Sequence, residues 1–90
     1  MNIQLHYVTY ADFGPRGIGH KCDPSSFDDA VDAYAEAIAD GQDAAVFRME
    51  PPTDTKAGMM IDVTVDARER LVQRFNDRRM DIPEWFEEAI

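Results

Sequence analysis

A single cysteine, Cys22, rules out an internal disulfide, and no apolar run in the 90 residues reaches the length of a signal-peptide core or a membrane span. The start, Met1-Asn2-Ile3-Gln4, has neither a basic n-region nor a myristoylation pattern. These absences predict a cytoplasmic protein that is stabilised by its core alone. Phosphate-binding fingerprints are also missing. There is no G-x-x-x-x-G-K-[ST], and Gly14-Pro15-Arg16-Gly17-Ile18-Gly19 does not open a helix, so it reads as a turn. His20 and Cys22 stand at i, i+2, but only His6 remains to join them, too few groups for a four-ligand zinc site, and no third group is placed to orient a Cys-His nucleophile. No metal, cofactor or catalytic residue is expected, and the chain is read as a non-enzyme.

Basic residues are scarce where acidic ones are dense. The formal charge of -9 arises from 18 acids and 9 bases, and no Lys or Arg occurs from Cys22 to Phe47, a stretch with seven acids. Such a chain is repelled by nucleic acid and anionic membranes and attracted to basic surfaces.

With 44% apolar residues, the chain has enough for one small core, a single domain spanning residues 1–90. The clearest element is a helix over Ser26 to Gly41. At 100° per residue, Phe27, Ala30, Val31, Tyr34, Ala35, Ala37 and Ile38 fill one arc, while Asp28, Asp32, Glu36 and Asp40 repeat at i, i+4 opposite them with Asp29 alongside. Ser26 with Asp29 three residues on has the spacing of a capping box, and Gly41 supplies the left-handed stop. As a plain solvated surface this column costs about 1 kcal/mol in like-charge repulsion, a tolerable amount.

Alternation from Ile3 to Tyr10 predicts a strand, with a turn and a short second strand through His20 to Cys22. A third strand follows over Ala44 to Met49, with Ala45, Phe47 and Met49 on one face. Pro51 to Gly58 reads as a polar loop that tolerates insertions, and Met59 to Thr64 as a further strand, with Thr64 capping a second helix over about Val65 to Arg79. The apolar face of that helix is Val65, Ala67, Leu71, Val72 and Phe75, and Asp66 with Arg70 and Arg74 with Asp77 are spaced as surface pairs. Asp81-Ile82-Pro83-Glu84 opens a last short helix whose Trp85 and Phe86 fold back as a lid. The fold class is α+β: three or four strands with two helices on one face, plus a short C-terminal helix.

Ser26-Phe27-Asp28-Asp29, Ala45-Val46-Phe47-Arg48 and Ile82-Pro83-Glu84-Trp85-Phe86 together resemble small acidic proteins of phages and mobile elements. The nearest functional class there is the anti-CRISPR and anti-restriction group. The resemblance implies an inhibitor that occupies the basic nucleic-acid channel of a defence complex. On the residues themselves, the partner-binding set is Asp28, Asp29, Asp32, Glu36, Asp40 and Asp43, helped by Glu84, Glu87 and Glu88. Carboxylates about 6 Å apart along one helix are sparser than DNA phosphates at about 3.4 Å per strand, so mimicry requires acids beyond that one column. The alternative is an assembly module, a homodimer included, that packs through the second helix and the aromatic tail, with Arg68, Arg74 and Arg79 meeting another subunit's acids.

Overall fold

The structure is a computed structural model that describes residues 6–88, except for the side chain of Glu88; the expected start of the first strand, Ile3 to Leu5, lies outside the described residues. The chain forms β1 (His6–Asp12), one turn of 3-10 helix (Gly14–Arg16), β2 (Ile18–His20), α1 (Phe27–Ala39), β3 (Ala44–Glu50), β4 (Met59–Asp62), α2 (Thr64–Asp77) and α3 (Glu84–Glu88). All strand pairs are antiparallel, in the order β2-β1-β3-β4, so the fold is α+β as expected. Among the described residues no helix is long and apolar enough to cross a membrane.

α1 begins and ends as its sequence dictates. The Ser26 hydroxyl accepts the Asp29 N–H at 3.2 Å. At the other end Gly41 takes φ +81, and the N–H groups of Gly41 and Gln42 return to the carbonyls of Ile38 and Ala37, each at 3.0 Å. That double return satisfies two orphan carbonyls.

The core lies between the sheet and the helices. Ala30, Val31, Tyr34 and Ile38 of α1 meet Val46 of β3, Val63, and Ala67, Leu71 and Phe75 of α2, with Phe86 of α3 closing one side. On β1 the residues Tyr7, Thr9 and Ala11 face the helices. Thr9 is fully buried and its hydroxyl donates to the Ala30 carbonyl at 2.6 Å, fastening β1 to α1. Ala45, Phe47 and Met49 do share a face, but it is the one the helices leave bare; Val46 is the β3 side chain sunk in the core.

Three expectations about α2 change. Thr64 is its first residue rather than its cap, and its hydroxyl instead accepts the Val46 N–H at 3.0 Å. β4 runs straight into the helix, so this hydroxyl extends the β3–β4 ladder, and the Asp62 carboxylate takes the Thr64 N–H at 2.8 Å. Val65 is 70% exposed, not part of the apolar face. The helix also stops at Asp77, with Arg79 at φ +54 donating to the Asn76 carbonyl and Met80 to that of Phe75. An arginine therefore occupies the position glycine fills after α1. Arg79→Gly should raise stability by about 0.5–1 kcal/mol, because relief of left-handed strain exceeds glycine's entropic cost. A urea midpoint that rises at unchanged slope checks it.

Candidate protein-binding surface

α1 lies across the sheet with its acidic column outward, and α2 runs antiparallel beside it, which brings Arg74 to Asp28 and Arg68 to Tyr34. Arg74 donates to the carboxylates of Asp32 and Asp28 and to the Asp28 carbonyl, while Arg70 reaches Asp28 at 3.0 Å and covers the Phe27 ring. On the other flank Lys21 lies 3.6 Å from Glu36. The arginines of α2 therefore pair across helices, not with Asp66 and Asp77 on their own helix. The i, i+3 and i, i+4 spacing that suggested those pairs competes with cross-helix partners that antiparallel packing supplies at no loop cost.

Exposure shows how these charges are layered. The Arg74 side chain is 23% exposed and that of Lys21 16%, whereas Asp28, Asp32 and Glu36 are 62%, 67% and 69% exposed. Arg74 and Lys21 lie underneath and the carboxylates on top, while Arg70, 42% exposed, flanks Asp28 at the surface. Burial draws the Arg74 pKa down, but the hydrogen bonds and charges of Asp32 and Asp28 outweigh it and leave the guanidinium held above its ordinary value. A raised pKa on a cation contributes stability below the unfolded value and loses it only as pH climbs past the folded one, so this prop persists throughout the neutral and moderately alkaline range.

Of the other residues expected to bind a partner, Asp29 and Asp40 are exposed at opposite ends of α1, and Asp43 is exposed in the loop before β3. The Asp43 carbonyl accepts the Asp12 N–H at 2.8 Å, which sets Asp12 beside it. Asp12 escapes a reading based on α1, since only strand pairing brings it there. Glu84 and Glu87 are exposed on α3, and Glu88 belongs to the same short helix.

α3 and the α2 arginines are committed within the chain. Phe86 meets Phe75 edge-on at 5.7 Å, with Trp85 beside both, so the tail does fold back. Arg68 donates to the Tyr34 hydroxyl at 2.9 Å and the Phe86 carbonyl at 3.0 Å, and its guanidinium lies 4.2 Å from the centre of the Phe86 ring. Arg68 and Arg74 thus make contacts within this chain.

The bare face of the sheet forms a concavity. A groove of about 620 Å³ runs over Tyr10, Ala45 and Phe47, with Ile18 and Met60 at its sides and Asp12 and Asp43 at one end. Tyr10 packs edge-on against both His20 and Phe47, and its hydroxyl lies 3.0 Å from His20 Nε2. Among the described residues no three His, Cys, Asp or Glu side chains gather where they could hold a metal ion. Comparison with known protein families, characterised proteins and solved structures finds no match to this chain.

Proposed function

We propose that this is a non-enzymatic binding protein that engages a basic, nucleic-acid-binding surface of a protein complex, as an inhibitor of the DNA-mimic or anti-CRISPR type acting in the cytoplasm. The observation that carries the reading is the layering on α1, with carboxylates outermost and Arg74 and Lys21 held beneath. Propped from below, Asp28, Asp32 and Glu36 keep their outward positions before any partner arrives, which lowers the ordering cost of association. Asp29, Asp43 and Asp12 extend the acidic surface beyond the one column that Asp40 ends, the condition that phosphate mimicry requires.

Capture from host lysate over stepwise salt tests this. The expected partner binds nucleic acid, is released as salt rises and is displaced by duplex DNA. Asp29 and Asp40 form no ion pair among the described residues, so Asp29→Asn with Asp40→Asn removes outward charge while leaving the fold in place. The double variant should keep its melting temperature and weaken capture about tenfold at low salt. Capture indifferent to both salt and the double variant would sink the proposal. Arg74→Gln makes an opposite prediction. It removes a cation beneath two carboxylates, so the on-rate should rise about twofold at low salt while folding stability falls by about 1 kcal/mol. Surface plasmon resonance and urea unfolding read the two effects separately.

A further inference from the structure

We infer that the bare face of the sheet seats an amphipathic, basic helix of the partner, with the helix's apolar side in the Tyr10–Phe47 groove and a cation against Asp12 and Asp43. This rests on the reading that the partner is basic, and it names the surface that supplies the apolar part of the contact. Both helices of the two-layer core, and α3 with them, lie on the other side of the sheet, so among the described residues no helix covers this face; Val8 is fully buried between its neighbours there, while the side chains around it remain partly open. Ile18 is 76% and Met60 48% exposed there. Met60 also borders a second groove of about 390 Å³ that contains His6, Met49 and Met59, so the trough crosses the sheet and is rich in methionine, a side chain that adapts to varied apolar partners.

Charge and area choose the occupant. The charged residues bordering the main groove are Asp12 and Asp43, both acidic, which favours a cationic guest. A second copy of the chain brings the same carboxylates and another -9 of charge. The strands have seven, three, seven and four residues, and at about 3.4 Å of rise and about 4.8 Å of spacing per residue they make a face of roughly 340 Å². That is less than half of the roughly 800 Å² per partner in a stable protein pair. A helix about 10 Å wide, of about 14 residues, matches the trough.

Two synthetic peptides of about 14 residues, identical in leucine and lysine content, provide the probe. One spaces leucine at i, i+3, i+4 and i+7, and the other is scrambled so that no apolar face forms. Each is titrated into protein labelled with ¹⁵N and with ¹³C at the methionine methyls. The amphipathic peptide should shift the Met60 methyl and the amides of Ile18, Tyr10 and Phe47, and should bind about tenfold tighter than the scrambled one. Ile18→Gln with Met60→Gln, neutral changes at exposed positions, should erase that advantage. Equal binding by both peptides, with shifts confined to α1, overturns the sheet-face inference and leaves the acidic-surface reading standing. No salt-sensitive shift with either peptide overturns both. A dimeric mass for the free protein, lost in the Ile18, Met60 double variant, overturns the inference by assigning the face to a second copy.

Discussion

Arg68→Ala should lower the free energy of unfolding by about 2–3 kcal/mol, more than any exposed charge change in this chain. The guanidinium joins three helices: it extends from α2, bonds the Tyr34 hydroxyl of α1 and the Phe86 carbonyl of α3, and stacks over the Phe86 ring. Truncation leaves the Phe86 carbonyl and the hydroxyl of a tyrosine only 2% exposed without these partners, and the loss of the ring contact adds about 0.5–1 kcal/mol. Arg68→Lys should recover less than half of the loss, because a single ammonium lacks the planar fork that reaches both acceptors. Urea unfolding gives the magnitude, and the half-buried Trp85 reports the location. Its fluorescence should shift to the red in Arg68→Ala before global unfolding. Stability equal to that of the wild type in Arg68→Ala would show that α3 is held by Phe86 packing alone.

Thr9→Ala comes next, at about 2–3 kcal/mol, and its companion substitutions separate the causes. Thr9 is fully buried on the face of β1 that meets α1, and it contributes both a methyl group and the hydroxyl bonded to Ala30. Thr9→Val keeps the shape and removes only the hydroxyl. The Ala30 carbonyl still has its partner in the helix ladder, so the cost should be about 1 kcal/mol. Thr9→Ser keeps the hydroxyl and leaves a small void, at about 1–1.5 kcal/mol. If Val and Ser each cost less than Ala, the methyl and the hydroxyl contribute independently. A Val variant as unstable as Ala would assign nearly everything to the hydrogen bond.

The elements were legible because their signals are local. The apolar arc of α1, Ser26 at its start and Gly41 at its end act within a few residues of one another, and the strands declare themselves by alternation. The face of the sheet that becomes core was not legible. β3 alternates Val46 and Phe47, both apolar, so its pattern marks a strand without marking an inside. Thr64 misled for a similar reason, since a threonine before a helix reads as a cap, and only the neighbouring strand reveals that its hydroxyl belongs to Val46. As for the candidate site, the acidic column was plain in the sequence, but its underpinning was not. Arg70 and Arg74 lie more than forty positions from Asp28, and Lys21 approaches Glu36 from beyond the other end of the helix. Pairs at such separations are set by how the helices pack. Arg79 left no trace in the pattern at all, because its left-handed backbone breaks the preference that made Gly41 informative.

The strand order has a consequence for how the chain folds. β1–β2 and β3–β4 are hairpins with nearby partners, whereas the central seam joins His6 to Met49 and Ala11 to Ala44 across the whole of α1. Each outer pair can close early at small entropic cost, but the seam must await α1, whose helical rise shortens the distance its flanking strands have to span. Two half-molecules thus form separately and zip together late. A substitution in an outer hairpin turn should therefore slow refolding, while one within the late-forming seam should mainly hasten unfolding.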